Sequence, residues 1–477
     1  MSETADSPPS LYESHKKIYP KYQPGLFRNI KWLAMFILLG SYLLFPLLRW
    51  TRPAGLPEQA VLFDLPSRKF YIFDLIIWPQ EVFLLTFLLI AAAIGLFFMT
   101  ALAGRVFCGY MCFQTVWTDL FQALEHLIEG NRNKRLRLDK PGWNPEKMVR
   151  KLAKHLAWLL VSMVTGWVFV GYFTDAPTLF WEFLHGTAPE AAWITLGIIA
   201  LTTYTMAGFA REQVCIYMCP YARFQGAMFD QDTLLIAYDE QRGEPRMANR
   251  RQRQQGAKAG ECIDCQECVR VCPMGIDIRQ GQQYQCITCA ACIDACNSVM
   301  DRIRRPHDLI AYTSMRAMEG KKTRLFRFRV LAYGTLLIGI LAGMAWFLIK
   351  QKPVELNVLR QRQPVYIVQS DGSIQNNYVV HVTNLSSRMQ TYTLQIKDLP
   401  EGKLRVVAGG SRLKHQPCGV NPDSVLTVEP GEVAQYTVFV RQPPTATGSG
   451  TRQVTFLLQA LEPDGGAEHY QSVFMRP

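Results

Sequence analysis

The chain has 477 residues, 49% of them hydrophobic and 19% charged, with 10 Trp and a formal charge of +12. That length exceeds a single hydrophobic core and that apolar share is too high for a wholly soluble protein, so membrane helices joined to soluble modules are expected. Twelve of the 13 Cys fall in four tight groups and leave Cys418 alone. This grouping excludes a secreted disulfide framework and points to metal or redox chemistry.

Residues 1–29 are a basic segment with Lys16, Lys17, Lys21 and Arg28 but no apolar core or small-residue cleavage site, so no removable signal peptide is expected. Five stretches, 30–48, 82–104, 156–174, 192–209 and 329–349, are long and apolar enough to cross a hydrocarbon layer as helices of roughly 20 residues. None carries a charge near its middle, and Trp32, Trp50, Trp78 and Trp346 stand towards the ends, as interfacial aromatics do. Between the second and third stretches lie ten Lys/Arg, from Arg105 through Arg132, Lys134, Arg135, Arg137, Lys140, Lys147, Arg150 and Lys151 to Lys154, and between the third and fourth none. Positive residues stay in the cytoplasm, which predicts the N-terminus and loop 105–155 inside and the C-terminus outside. The positive charge is thereby assigned to membrane orientation, and no nucleic-acid partner is expected.

The resulting organisation is a cytoplasmic N-terminal segment (1–29), a membrane region with four helices (30–232), a cytoplasmic cysteine-rich domain (233–328), a fifth membrane helix (329–349) and an outer domain (354–477). In the outer domain the runs Tyr378, Val380, Val382; Tyr392, Leu394, Ile396; Tyr436, Val438, Val440; and Val454, Phe456, Leu458 alternate with polar residues. That period of two, with turns at Asp371-Gly372, Pro430-Gly431 and Pro463 to Gly466, predicts an immunoglobulin-like β-sandwich without a Cys pair between its sheets.

The cysteine-rich domain holds Cys262-x-x-Cys265-x-x-Cys268-x-x-x-Cys272-Pro273 and Cys286-x-x-Cys289-x-x-Cys292-x-x-x-Cys296. Two such runs are the bacterial ferredoxin pattern for two [4Fe-4S] clusters, in which the fourth Cys of each run serves the other cluster. Cys262, Cys265, Cys268 and Cys296 are expected on one cluster, and Cys286, Cys289, Cys292 and Cys272 on the second. Paired Cys-x-x-Cys motifs also make zinc sites, but the repeated spacing and the closing Cys-Pro favour clusters. Asn297 stands where the second run would carry Pro.

A further repeat lies at the membrane ends: Cys108-Gly109-Tyr110-Met111-Cys112 after the second stretch and Cys215-Ile216-Tyr217-Met218-Cys219-Pro220 after the fourth, each preceded by Ala-Gly and continuing to a Gln. If the helices run on through these motifs, two Cys and a Met from each share one face. Thiolate and thioether donors favour Cu(I) over harder ions, while inert packing, a further cofactor and a reversible disulfide are the alternatives. His126, His155, His185 and His307 form no pair at helical spacing, so haem ligation is not expected. His415 with Cys418 reads as incidental, and no nucleotide-binding fingerprint follows a strand.

The sequence resembles the cytochrome c oxidase accessory proteins called CcoG, FixG or RdxA. The resemblance is carried by Ile18-Tyr19-Pro20, Trp78-Pro79-Gln80-Glu81, Ala101 to Arg105, Gln114 to Leu120, Arg211 to Cys215, both ferredoxin runs and Ser370 to Ser373. Phe113 departs from it, standing where relatives commonly carry Pro. The resemblance implies a multi-pass bacterial inner-membrane polyferredoxin that reduces Cu(II) to Cu(I) for assembly of cbb-type cytochrome c oxidase. Copper would be the substrate at Cys108, Met111, Cys112, Cys215, Met218 and Cys219. Implied partners are oxidase assembly factors or copper chaperones, a cytoplasmic or quinol electron donor, membrane lipid and a second copy of the chain. Two other readings are a quinol-linked electron-transfer subunit, like the membrane ferredoxins of nitrate and nitrous oxide respiration, and a redox-sensing scaffold.

Overall fold

The computed structural model describes residues 17–52, 56–142, 144–246, 260–350, 352–386, 388–408, 425–444, 450–462 and 466–476. His415, Cys418 and most of the turn 463–466 lie outside them. The chain divides into two compact units, one taking in the chain up to Arg49 with Gln59–Met344, the other Trp50–Glu58 with Ala345–Pro477.

In the first unit, α1 (Leu26–Leu44) leads into a three-stranded antiparallel meander, β1 (Val61–Asp64), β2 (Lys69–Ile72) and β3 (Leu75–Ile77), which the sequence reading leaves as loop. α2 (Val82–Ala103), α3 (Val106–Tyr110), α4 (Phe113–Glu129), α5 (Arg132–Leu138), α6 (Pro145–Gly171), α7 (Ala176–His185) and α8 (Glu190–Thr205) follow. A π-helical turn, Met206–Ala210, extends α8. Among the described residues, five helices are long and apolar enough to cross a membrane: α1, α2, α6, Glu190–Ala210 and Phe328–Ile349.

Two of these helices are offset from the expected stretches. α1 starts at Leu26 and stops before Pro46, which has no N–H to continue a helix. α6 starts at Pro145, well before the apolar run, because the Asn144 side chain accepts from the Glu146 backbone N–H at 3.1 Å and Pro145 fits the first helical position. Its extra turns carry Lys151 and Lys154 into a buried charge network. Glu125 of α4, 0% exposed, pairs with Arg135 of α5 at 3.3 Å, Arg211 at 3.0 Å and Lys154 at 3.7 Å. Glu129 pairs with Lys151 and Lys154, each at 2.9 Å. Burial pushes the Glu125 carboxyl up, but Arg211, Arg135 and Lys154 together outweigh it and hold the group below the ordinary carboxylate range. Trp158 floors the network, with Lys154 4.7 Å and Arg211 5.4 Å from its ring and Phe121 stacked on it at 5.4 Å.

Past α9 (Pro220–Ala227), β4 (Leu235–Tyr238) pairs antiparallel with β5 (Ile310–Thr313), Leu235 opposite Thr313 and Tyr238 opposite Ile310. Between these strands lie both four-Cys runs and the helices Glu267–Arg270 and Ala291–Ile303. Ile236, Tyr238, Ile278, Ile293, Met300, Leu309 and Ile310 form one core with Cys262 and Cys268.

The second unit contains β6 (Val354–Arg360), β7 (Ile367–Val368), β8 (Ile374–Asn384), β9 (Gln390–Lys397), β10 (Lys403–Ala408), β11 (Val425–Val428), β12 (Val433–Gln442), β13 (Thr451–Ala460) and β14 (Ala467–Met475). One antiparallel sheet runs β10-β12-β8-β6 with β7 on β8, the other β11-β9-β13-β14. The alternating residues read from the sequence fill the space between the sheets: Tyr378, Val380, Val382, Tyr392, Leu394, Tyr436, Val438, Val440, Val454, Phe456 and Leu458 are buried in one cluster, with Ile396 partly buried beside it. Tyr378 and Phe456, from opposite sheets, meet at 4.9 Å between ring centroids.

Removing the anion at the centre of the charge network leaves buried cations unpaired. Glu125→Gln is expected to destabilise the first unit by about 3 kcal/mol, read as a lowered midpoint in a thermal melt in detergent. An unchanged midpoint would show that the network contributes nothing to stability.

Candidate metal centres

The two four-Cys runs adopt the same backbone. Asp264 (φ 51°) and Gln266 (φ 58°) flank Cys265, and Thr288 (φ 56°) and Ala290 (φ 58°) flank Cys289. Left-handed residues on both sides of the middle cysteine curl the two loops alike, and turns that alternate right- and left-handed residues suit an anionic group held by thiolates. One small cavity is lined by Cys262, Cys265, Cys268 and Cys296, and a second by Cys272, Cys286, Cys289 and Cys292, with Cys268 lining both. The fourth cysteine of each run thus sits with the first three of the other. Burial raises Cys268 and Cys286 to about 11 and Cys272 and Cys296 to about 12. Thiols this shielded stay protonated until a metal displaces the proton. Among the described residues no three His, Cys, Asp or Glu side chains converge closely enough for a single metal ion. A cubane, whose four irons each take one thiolate, fits these two cavities better than one tetrahedral zinc ion.

The membrane-end motifs are also matched, but the helix does not run through either. α2 ends at Gly104 (φ 59°, ψ −133°), and the turn after α8 ends at Arg211 (φ 40°, ψ −111°), the equivalent position of the repeat. A short helical turn then carries the first cysteine, α3 for Cys108 and the π-helical turn Val214–Met218 for Cys215. The second cysteine, Cys112 or Cys219, is extended and precedes α4 or α9. The shared-face expectation for the methionines therefore does not hold: Met111 and Met218 stand 51% and 58% exposed while the four cysteines are half-buried. Phe113 and Pro220 occupy the same first helical position, where Pro is tolerated but not required, so the Phe113 departure leaves the backbone unchanged.

The two motifs meet each other. Gln114 donates to the carbonyls of Met206 at 3.0 Å and Arg211 at 3.2 Å, and the Cys108 thiol donates to Oε1 of Gln225 at 3.1 Å. Burial pushes Cys108 up against the lowering pull of the Arg105 guanidinium. Burial also raises Cys112, and it takes Cys215 to about 12 with the Cys112 and Cys108 sulfurs adding to the effect. Four soft donors thus share one electrostatic neighbourhood without closing on a single point.

α3 lies directly on the loop of the second four-Cys run. A Cβ on Gly109 would stand 2.7 Å from the Ile287 carbonyl oxygen and 3.1 Å from the Cys289 backbone, so only Gly allows this approach. Tyr110 donates to the Cys289 carbonyl at 3.2 Å, and Arg105 donates from its backbone to Thr288 Oγ1 at 3.2 Å and from its guanidinium to the Tyr284 carbonyl at 2.6 Å. Sequence reasoning assigned no contact to Arg105, Gly109, Thr288 or Gln225, whose roles are contacts with distant residues; the Ala-Gly before each motif and the Gln after it were the signals there. The histidines stay apart: His155 bonds the Tyr204 hydroxyl at 2.9 Å, His185 the Trp181 carbonyl at 2.8 Å, His307 the Asp301 carboxylate at 2.5 Å, and His126 stacks on Tyr22.

Comparison with known proteins accords with this arrangement. Residues 210–315 match the model of a 4Fe-4S dicluster domain, residues 85–135 a 4Fe-4S binding domain, and residues 344–477 the IG-like fold at the C-terminal of FixG. The nitrogen fixation protein FixG of Rhizobium meliloti is 42% identical over 466 residues, 91% of this chain and 88% of that relative. The chain belongs to the FixG/RdxA family. Protein RdxA of Cereibacter sphaeroides is 42% identical over 96% of both chains, and protein RdxB of the same organism 44% identical over 90% of both. This FixG/RdxA member is accordingly a membrane iron-sulfur protein with an Ig-like C-terminal domain and the character of an oxidoreductase.

Gly109→Val would force α3 away from the Cys289 loop at a cost of about 2 kcal/mol of overpacking. The expected readout is a changed paramagnetic resonance line shape for one reduced cluster with the other unaltered. Two unaltered signals would show that the contact does not position the loop.

Proposed function

We propose that this protein reduces Cu(II) to Cu(I) at the membrane-end thiols and so supports the copper supply and assembly of cbb-type cytochrome c oxidase. The observation that carries the reading is the seating of α3, which bears Cys108, on the backbone of Cys289. Cys262, Cys265, Cys268 and Cys296 would hold one [4Fe-4S] cluster, and Cys286, Cys289, Cys292 and Cys272 the other. When bound, the clusters supply one-electron storage between a reductant and the copper substrate. Cys108, Cys112, Cys215 and Cys219 offer soft donors that favour Cu(I). Arg105 lowers the cost of forming thiolate at Cys108 and, through its bonds to Thr288 and Tyr284, keeps that thiol beside the cluster loop. Oxidase assembly factors or copper chaperones would take the product.

Anaerobic addition of Cu(II) to protein reduced with dithionite is expected to reoxidise the clusters and yield Cu(I), trapped by a Cu(I)-specific chelator. Paired Cys108→Ala and Cys112→Ala changes, or the Cys215 and Cys219 pair, are expected to cut that rate at least about tenfold, roughly 1.4 kcal/mol in the barrier, while dithionite still reduces both clusters. Wild-type rates in both double variants would sink the assignment.

In this reading the N-terminus, both membrane-end motifs and the cluster domain face the cytoplasm of a bacterium, and residues 354–477 face the periplasm. The asymmetry of Lys and Arg between the loops supports it. A phosphatase reporter fused after Pro477 is expected to be active, since it folds only outside the cytoplasm, and an inactive but stably produced fusion would reverse the orientation.

A further inference from the structure

A cavity of about 420 Å³ opens between the segment leading into α1, the exposed side of α4 and the second four-Cys run, and Cys289 forms part of its wall. Its volume falls in the range of small-molecule sites. Planar groups frame it: Tyr22 stacks on His126 with centroids 5.6 Å apart and ring planes 24° apart, and the Arg28 guanidinium lies 5.2 Å from the Tyr22 ring and 4.8 Å from that of Trp32. Asp119 reaches it from α4. Only 5% exposed, this carboxylate spends one oxygen, Oδ1, on Arg28 at 2.9 Å and Lys31 at 3.3 Å.

The polar atoms of this lining are incompletely satisfied. Asp119 Oδ2, His126 Nδ1, Arg28 Nε and Arg135 Nε are all buried without a hydrogen-bond partner, and all belong to residues that line the cavity. Buried polar groups are ordinarily paired, so four orphans around one hollow call for an occupant that offers donors and acceptors on a flat, otherwise apolar body. Burial and the neighbouring charges of Arg135 and Arg28 lower the His126 basicity, which favours the neutral imidazole that can accept a hydrogen bond.

We propose that this cavity binds a quinol, the membrane-dissolved reductant from which the protein draws its electrons. The proposal rests on the cluster assignment made above and supplies the donor it lacks. A quinol carries two hydroxyls on an apolar ring, matching two buried acceptors, Asp119 Oδ2 and His126 Nδ1. Its apolar ring suits the faces of Tyr22 and Trp32. A lipid-soluble molecule can reach the cavity along α1, whose exposed apolar residues Ile30, Leu33, Phe36 and Ile37 begin beside cavity-lining Trp32, and none of the residues lining the cavity is a glycine that would favour a nucleotide's phosphates. Oxidation breaks both O–H bonds. The two protons are released to water beside Asp119 and His126, whose lowered basicity keeps them hydrogen-bond acceptors rather than proton stores, and two electrons leave singly past Cys289. With Cu(II) as final acceptor, one quinol and two Cu(II) give one quinone, two Cu(I) and two protons.

The test uses the full chain in lipid nanodiscs. A photoreactive azidoquinone is expected to label peptides containing Tyr22, Trp32 or His126, and excess decylubiquinone to suppress that labelling. Ala123→Phe, which fills the cavity, and His126→Leu, which removes an acceptor, are each expected to weaken the suppression about tenfold. Both variants should also slow anaerobic bleaching of the clusters by decylubiquinol, with dithionite still bleaching them fully as proof of folding. Labelling that maps elsewhere, or suppression and bleaching unchanged in both variants, overturns the proposal. The two readings fail separately. If decylubiquinol bleaches the clusters through this cavity and Cu(II) does not reoxidise them, copper reduction falls and the quinol site stands. If Cu(II) reoxidises dithionite-reduced clusters but decylubiquinone neither binds nor bleaches, the quinol site falls alone.

Discussion

The close approach of Gly109 to the backbone of Ile287 and Cys289 is the contact on which the proposed electron path depends. It places a membrane-end thiol and a cluster loop side by side with no side chain between their backbones. Electron transfer weakens steeply with distance, so in the proposed path the single missing Cβ has more consequence than its bulk implies. The surrounding bonds from Arg105 and Tyr110 end on the same loop, at Thr288, Tyr284 and Cys289. They fix orientation as well as distance.

Such a contact is useful only if the helices bearing it hold still, and this is where the buried charges enter. Glu125 and Glu129 draw α5, α6 and Arg211 onto α4, and Arg211 is the residue at which the second motif turns away from its helix. Buried ion pairs are a poor source of net stability but penalise any arrangement that leaves one partner unpaired. Here the penalty falls on any movement of the second motif relative to the first, because Gln114, at the head of α4, bonds the carbonyls of Met206 and Arg211.

The two repeats obey one rule at different scales. In the cluster loops, left-handed residues on both sides of Cys265 and Cys289 curl the chain around the cysteine; at the membrane ends, Gly104 and Arg211 break the helix so that the following cysteines leave its axis. Arg211 holds this conformation without being Gly, a strain of order 1–3 kcal/mol, offset by its bonds to Glu125 and the Gly208 carbonyl. In each case the backbone departs from regular structure where sulfur must be presented.

Much of this was legible in the residues alone. Apolar length is enough to find membrane helices, since hydrocarbon admits little else; strict alternation places Tyr378, Val380 and Val382 in a sandwich core; and the spacing of eight cysteines names their cofactor, because thiolates three apart wrap a cubane. These are local patterns, and local patterns survive in one dimension. The sequence misled where an element begins by capping rather than by hydropathy, as α6 does at Asn144, and it left open whether a helix continues through Cys108 and Cys215, which the structure answers by ending both helices before them. It was silent on the contacts of Gly109 and Arg105 and on the cavity beside Cys289. Those features join residues more than 150 positions apart, such as Arg105 and Thr288, separated by 183. Only folding, which packs α3 and α4 against the cluster domain, decides that one glycine must have no side chain and that Asp119 and His126 share a wall with a cluster cysteine.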